Sequence, residues 1–367
     1  MNLYPCAAQE LAEQLRDASA KRQSISLRGN ASKCGMAGPL VQPDIAISTS
    51  RLNRILQYEP RDLTVSVEAG LSWREFSVAL AKHRQMVPLD PFFSDEATVG
   101  GVVAANVSGS RRRLYGSVRD MVIGMTFATL EGKLIRTGGM VVKNVAGLDM
   151  GKLMIGSFGT LAAIAVVNFK LHPQPLATRT FVQEFLRVTE TIAASDKVLK
   201  SVLQPAAIDI VKSNQGYDLA IQAGGSPAVL DRYTRQLSGF RALEDAQART
   251  FWSKVREFTP DFLRAHPAGA VVRVSCALSE VGAVLEALPP PAIARTGSGV
   301  CYGYFPDVGG LRIPALGNSV VEFAPQAYRE TAELWPSPGS DFAMMKRVKE
   351  MFDPLGLLNR GRLYGRI

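Results

Sequence analysis

Between Thr98 and Gly159 the chain abandons charged helical patterning and fills with glycine and other small residues. Little side-chain bulk over so long a stretch leaves the main chain bare, and bare backbone can come within hydrogen-bonding reach of a ligand. Such a segment is expected to wrap closely around a bound molecule. Its flanks must then supply the scaffold.

The flanks do carry scaffold patterning. Ala7 to Ala20 is rich in alanine and glutamate at helical spacing, and Ser24-Ile25-Ser26-Leu27 alternates as a short strand. After a loop of Gly, Ser and Asn, Asp44 to Ser48 predicts a second strand and Leu63 to Val67 a third, ending at Gly70. Ser72 reads as an N-cap, with Glu75 completing a capping box for a helix to about His83. Met121 to Leu130 and Lys133 to Arg136, turned by Glu131-Gly132, predict a hairpin. Leu161 to Leu171 predicts another strand, closed by His172-Pro173-Gln174-Pro175, where a domain boundary is placed. From Thr178 to about Phe305 strand and helix mix without strong motifs or an internal repeat. Asp341 to Met351 predicts a helix, followed by the motif-like tail Asn359-Arg360-Gly361-Arg362.

With 367 residues and 47% hydrophobic content, the chain can build two or three structural units with sizeable cores. The apolar run from Leu161 to Val167 is far shorter than the ~20 residues of a bilayer-crossing helix, so no transmembrane segment is expected. Met1 to Glu10 lacks the pattern of a secretory signal, which points to the cytoplasm. Cys6, Cys34, Cys276 and Cys301 are far apart with no CxxC pair, so they read as free thiols rather than as a zinc or iron-sulfur site. The net charge of +9 is spread along the chain. Its tightest run, Arg111-Arg112-Arg113, sits in a Gly/Ser-rich stretch without interleaved aromatics, so no nucleic-acid partner is expected.

Three constellations carry the chemistry. Arg28-Gly29-Asn30-Ala31-Ser32-Lys33 follows a strand directly, and a loop of small residues there can donate several backbone N–H groups to a pyrophosphate. Its spacing fits neither G-x-G-x-x-G nor the Walker A pattern, which argues against ordinary NAD or ATP sites; a plain turn is the alternative. The second runs through Asp90-Pro91-Phe92-Phe93, Thr98-Val99-Gly100-Gly101, Asn106-Val107-Ser108-Gly109 and Tyr115 to Asp120. Here glycines give backbone access, Thr98 and Asn106 supply neutral donors, and Arg119 beside Asp120 suggests a fixed ion pair; a glycine-rich loop region is the alternative. The third is Val141 to Asp149, with Lys143, Val145 and Gly147, continued from Lys152 to Leu161.

These blocks in this order, with the terminal Asn359-Arg360-Gly361-Arg362, resemble the FAD-linked oxidase family of the vanillyl-alcohol oxidase type, whose fold is called PCMH. Within it they are most similar to the FAD-binding subunits of bacterial glycolate oxidases (glycolate dehydrogenases). The resemblance is strong over residues 1 to 175 and the tail, and thinner between, where it rests on Thr250-Phe251-Trp252, Arg256-Glu257 and Val272 to Ser275. It implies an α+β fold. A PCMH-type FAD-binding domain of two α/β subdomains (about 1–58 and 59–175) would be followed by a smaller α+β cap domain (176–325). A C-terminal segment (326–367) would return to the flavin.

Carried over residue by residue, the resemblance implies that Gly29 to Lys33, after Arg28, cradle the pyrophosphate of one FAD. Thr98, Gly100, Gly101, Asn106 and Ser108 would line the ribityl and isoalloxazine side, with Pro91, Val99, Gly109, Arg119 and Asp120 in the same blocks. Lys143 to Gly147 and Ile164 would bracket the adenine half, and Asn359 would reach the flavin edge. Asn30 and Ala31 stand where the family often has glycines, as does Ala162, and Arg360 replaces a proline. Ser32 occupies the place of the histidine that binds flavin covalently in some relatives, which implies noncovalent FAD.

The resemblance further implies oxidation of a small 2-hydroxy acid, such as glycolate or lactate, to the 2-oxo acid. A larger FAD subunit and an iron-sulfur electron acceptor would complete the complex, with peripheral association at the inner membrane through those partners. Catalytic relatives gather histidines and a carboxylate near the flavin, whereas this chain has only His83, His172 and His266, none close to another in sequence. No catalytic residue or metal site is therefore assigned. Arg273, Tyr302 and Tyr304 are candidate anion or proton contacts. Two other readings stay open: a self-sufficient FAD oxidoreductase, and a scaffold subunit that has lost FAD.

Overall fold

The computed structural model describes residues 1–39, 41–141 and 149–364. The chain divides into two compact units. The first comprises residues 1–107, 117–174 and 337–367, and the second comprises 108–116 and 175–336.

In the first unit, Ile25–Arg28, Ile45–Ser48 and Asn2–Leu3 form a parallel three-stranded sheet with Ile45–Ser48 in the centre. The helix Ala8–Ala20 buries Leu11, Ala12, Leu15 and Ala18, the stripe that 3.6-residue periodicity brings to one side. That stripe shares a core with Ile25, Ile45 and Ile47 of the parallel sheet and with Ala128, Ala163 and Ala165 of a second sheet. The second sheet has five strands in the order Ile55–Glu59, Thr64–Glu68, Ala163–Lys170, Val122–Ala128, Leu134–Gly138, antiparallel throughout. The expected hairpin forms: Thr129 donates to Lys133 O, and Gly132 takes the left-handed φ of +78° that the turn requires. Ser72 caps the helix Trp73–Ala81 by accepting from Glu75 N at 3.1 Å.

The C-terminal helix, Phe342–Phe352, leads into a tail locked to the parallel sheet. Ile25 N donates to Leu357 O and Asn359 N to Ile25 O. Beneath this junction the Lys349 ammonium is buried, donating to Thr160 O (2.7 Å), Asp353 Oδ2 (2.6 Å) and Leu358 O (3.1 Å).

The second unit is built on an eight-stranded antiparallel sheet in the order Arg241–Leu243, Ala177–Phe185, Gly216–Gly225, Ala207–Ser213, Ala292–Arg295, Val300–Phe305, Ala270–Ser275, Asn318–Phe323. Strand alternation sorts its residues by face. One face carries Ile208, Ile210, Val272, Val274, Ala294 and Cys301, which pack with Val188, Val198, Val281 and Leu285 from the helices Val188–Leu199 and Val281–Ala287. The opposite face carries Asp209, Arg295, Tyr302, Tyr304, Arg273 and Glu322. It is met by the helix Phe258–Ala265, whose Phe258 and Phe262 rings contact Tyr304, and by the segment 108–116. Cys6 and Cys34 are exposed, Cys276 is half-buried and Cys301 is buried. Among the described residues no helix is long and apolar enough to cross a membrane.

Candidate functional site: a basic cleft in the first unit

The parallel strand Ile25–Arg28 delivers the chain into the turn from Gly29 to Lys33. This turn lines an open cleft of about 680 Å³ whose other walls come from Thr98, Gly101, Ala104, Phe158, Asn359 and Arg362. A second cleft of about 450 Å³ shares Leu27 to Gly29, Gly101, Ala104 and Phe158 with the first and extends past Thr49, Gly159 and Ala162 to Ile164. The lining charges are Arg28, Lys33 and Arg362, with no carboxylate among them. Such a surface favours an anionic ligand.

The backbone of the turn suits the same kind of ligand. Among the described residues, the N–H groups of Asn30, Ala31 and Ser32 donate to no protein acceptor. Three successive donors without partners on a concave turn form an anion nest. The outward-facing groups of the turn are tied down: Gly29 O accepts from Ser48 Oγ at 3.0 Å, and Asn30 Nδ2 donates to Glu96 O at 3.2 Å. Ala31 adopts a left-handed φ of +56°, a conformation that glycine takes freely and alanine takes at a cost of about 1–2 kcal/mol. The Lys33 ammonium lies 5.8 Å from the ring centroids of both Phe92 and Phe93, buried against them. Close approach explains the glycine at position 29, where a Cβ would collide with the Thr98 hydroxyl.

The block Thr98 to Gly101 is not a glycine-rich loop. Val99–Ala104 is a short helix, and Thr98 is its N-cap, accepting from Gly101 N at 3.2 Å. Gly100 is required by packing, since a Cβ there would press on Ala69. Gly101 lines both clefts, whereas Val99 is fully buried. The expected Arg119–Asp120 ion pair does not form. Neighbours on a helix do not face each other, and Asp120 instead accepts from Ser117 N (2.7 Å) and Ser117 Oγ (2.9 Å) at the start of Val118–Met121. Both residues are exposed and line neither cleft. Pro91 is buried beside Phe92, and Asn106 is exposed at the exit of the Val99–Ala104 helix.

Ser108 and Gly109 fall in the second unit, where Ser108 O accepts from Arg295 Nη1. Arg112–Tyr115 is helical rather than loop, and Arg113 reaches Gln204 within the same unit. Lys143, Val145 and Gly147 lie outside the described residues. Ile164 lines the second cleft.

Asn359 does line the first cleft, but its amide is spent on backbone. Oδ1 accepts from Leu27 N (2.7 Å), while Nδ2 donates to Leu27 O (3.2 Å) and Phe158 O (2.6 Å). It fastens the tail to the strand feeding the nest. Lys349 and Glu322 carry no motif in the sequence, and Arg362 stands out only as part of the terminal Asn359-Arg360-Gly361-Arg362. Glu322 finds Arg273 on another strand and Arg362 its carbonyls more than 320 residues away, whereas Lys349 pairs with Asp353 one helical turn on.

Each of the three histidines has its own surroundings. His83 is exposed with its ring against Tyr58, His266 packs on Phe262, and His172 sits on a strand pairing with Met86. Burial, with Lys170 nearby, holds the His172 imidazole below the ordinary histidine range. Among the described residues no group of three His, Cys, Asp or Glu is placed to hold a metal ion.

In the second unit the polar sheet face is a compact charged cluster. Arg273 Nε donates to Glu322 Oε1 at 3.1 Å and Arg273 Nη1 to Ser275 Oγ at 2.7 Å, and the Arg295 guanidinium lies 4.9 Å from the Tyr302 ring centroid. Arg295 Nε and Glu322 Oε2 are buried without hydrogen-bond partners. Burial pushes the Glu322 carboxyl above the usual range, against the pull of Arg273 and Arg295, and raises the Tyr302 and Tyr304 hydroxyls as well.

Comparison with known proteins follows the same lines. Residues 2–138 match the family of FAD binding domains designated FAD_binding_4. Over 369 residues, 98% of the length of each protein, the chain is 28% identical to the glycolate oxidase subunit GlcE of Escherichia coli. It is 28% identical over 210 residues to the glycolate oxidase subunit GlcD of Bacillus subtilis, a match covering 57% of this chain and 44% of that one. Its fold is that of alkyldihydroxyacetonephosphate synthase, with a TM-score of 0.71 at 18% identity, covering 98% of this chain and 75% of the synthase.

Proposed function

Starting from an FAD-dependent oxidoreductase whose flavin-binding domain occupies residues 2–138, we propose that this chain is the FAD-binding subunit of a glycolate dehydrogenase-like complex. The complex would oxidise a small 2-hydroxy acid to the 2-oxo acid and pass electrons to an iron-sulfur partner. The observation that carries this reading is similarity along the whole length to a glycolate oxidase subunit, joined to a basic cleft with no histidine among its described lining residues. A larger flavin subunit would bring the fuller catalytic machinery, in keeping with the GlcD similarity.

In this reading FAD, when bound, supplies the two-electron acceptor, and the residues of this chain bind and orient it. The N–H groups of Asn30, Ala31 and Ser32 would receive the pyrophosphate, assisted by Lys33, and each hydrogen bond to the charged group contributes about 1.5–3 kcal/mol. Gly101 and Thr98 would border the nest, and Ile164 would lie along the extension of the groove. Nothing covalent is required, because Ser32 offers no imidazole to the flavin. The inner membrane would be reached only through partners.

The polar sheet face of the second unit favours a second reading, in which the chain oxidises its substrate unaided and Arg273 or Arg295 holds the carboxylate. Anaerobic titration of the isolated flavoprotein with glycolate or lactate separates the two. Under the subunit reading the 450 nm flavin band of the chain alone persists, and bleaches once a GlcD-type flavin subunit and an iron-sulfur partner are added. Full bleaching of the isolated chain at a catalytic rate would overturn the subunit reading.

A further inference from the structure

The tail residue Arg362 is buried against the phosphate-binding turn, 5% exposed. Its Nη1 donates to Cys34 O (3.1 Å) and Gly38 O (3.0 Å), and its Nη2 to Lys33 O (3.3 Å). Its guanidinium carbon lies 5.5 Å from the Phe158 ring centroid, and Gly38 N returns a bond to Arg362 O at 3.0 Å. Gly38 must be glycine for this seating, since a Cβ would collide with Gly361 O. One side chain from the far end of the sequence thus gathers three carbonyls from the segment that continues the nest. The rigid fork of a guanidinium suits this task, whereas a lysine ammonium offers no such planar spread.

Two further facts give the clamp a purpose beyond packing. Carbonyl oxygens turned to Arg362 are kept from facing the anion. Arg362 also lines the cleft itself, adding a permanent cation to Arg28 and Lys33. The turn needs such support, because Ala31 holds a left-handed backbone without being glycine, and strained conformations persist only where the surroundings over-determine them. Asn359 ties the same tail to Leu27, immediately before the nest.

We propose that Arg362 is a positioning residue for the FAD pyrophosphate. It clamps Lys33, Cys34 and Gly38 and lends the cleft its charge, so that docking of the C-terminal tail and binding of the dinucleotide are one coupled event. The inference rests on the reading that the pyrophosphate occupies the turn from Gly29 to Lys33. Coupling of this kind is reciprocal: if the docked tail tightens FAD binding, FAD must hold the tail down by the same factor.

The test uses the full chain stripped of flavin. FAD affinity is measured by fluorescence titration for the parent, Arg362→Met and Arg362→Lys, and hydrogen exchange of the amides from Leu357 to Arg362 is followed with and without FAD. Arg362→Met is expected to weaken FAD roughly 10- to 100-fold, the scale of one or two charge-assisted hydrogen bonds. Arg362→Lys should recover only part of the loss, because it restores charge without the fork. In the parent, FAD should slow exchange of the tail amides.

A merely structural Arg362 would lower the melting temperature of the apoprotein yet leave tail exchange insensitive to FAD. That insensitivity, or parent-like FAD affinity in Arg362→Met, overturns the inference. Should Arg362→Met fail to fold, Arg362→Lys and the exchange experiment on the parent still decide it. Failure of the underlying reading looks different: FAD binding would then survive Gly29→Val, whose side chain collides with Thr98 and displaces the turn.

Discussion

Replacing Lys349 by methionine removes the ion pair beneath the tail while nearly conserving side-chain volume. In the parent, Lys349 Nζ satisfies Asp353 and two buried carbonyls, Thr160 O and Leu358 O. Side-chain exposure is 9% for the lysine and 0% for the aspartate, so methionine leaves a carboxylate buried without a counter-ion. Breaking such a pair costs about 3–5 kcal/mol. Asp353 keeps two donors, Leu357 N at 2.8 Å and Leu358 N at 2.7 Å, which places the expected loss near the lower end, about 3 kcal/mol. Burial pulls the Lys349 ammonium below the lysine range even against the opposing effect of Asp353, so the pair stabilises mainly by keeping each buried charge from standing alone.

Global unfolding of a two-unit chain need not be two-state, so the assay should be local. Native-state hydrogen exchange at Ile25 and Leu27 fits, because their amides donate to Leu357 O and Asn359 Oδ1 of the tail. Three kcal/mol corresponds to loss of protection by roughly 150-fold at both amides. Combining Lys349→Met with Asp353→Asn removes the orphaned charge, and the double variant should recover part of that protection. Protection within threefold of the parent in Lys349→Met, or a double variant costing the plain sum of its parts, would refute the reasoning.

Three other outcomes follow from the same structure. Ala31→Gly should relieve about 1–2 kcal/mol of left-handed strain while adding about 0.5–1 kcal/mol of unfolded-state entropy, giving a small rise in the apoprotein melting temperature; a drop would contradict the assigned backbone. Asp120 is held below the ordinary aspartate value of 3.8 chiefly by its hydrogen bond from the Ser117 backbone. Because the folded value is the lower one, its contribution is present above 3.8 and is lost as pH falls below it. The stability gap between the parent and Asp120→Asn should therefore be open at pH 6 and narrow as pH falls below 3.8, as read by urea unfolding. Glu322→Gln should destabilise the second unit by leaving Arg273 without its carboxylate, visible as faster exchange in Ala270–Ser275 and unchanged exchange in the first unit.

Local signals in the sequence translated well. The helix Ala8–Ala20, the hairpin turned at Gly132 and the Ser72 cap rest on periodicity, a positive φ and a side-chain acceptor, each decided within a few residues. At Thr98 to Gly101 paired glycines, poor helix formers, gave no sign of a helix, and the packing of Gly100 on Ala69 accounts for a glycine inside it. Arg119 and Asp120 misled, since adjacency in sequence is separation on a helix surface. The nest was legible as a turn after a strand and the tail as a motif, but the tail's hold on the nest was not. Asn359 and Arg362 reach it across more than 320 residues, and a contact of that range leaves no local pattern. The polar face of the second sheet was visible only as scattered Arg273, Tyr302 and Tyr304, until strand register set them beside Arg295 and Glu322.

The central claim is that one FAD is held noncovalently by the turn after Ile25–Arg28. Its most direct measurement is the flavin content of the full chain and of Gly29→Val after reconstitution with excess FAD and gel filtration. The parent should carry one FAD per chain, all of it released into the supernatant by acid precipitation, and the variant, whose side chain collides with Thr98, should carry almost none. Equal flavin content in the two proteins, or flavin that stays with the acid pellet, would contradict it.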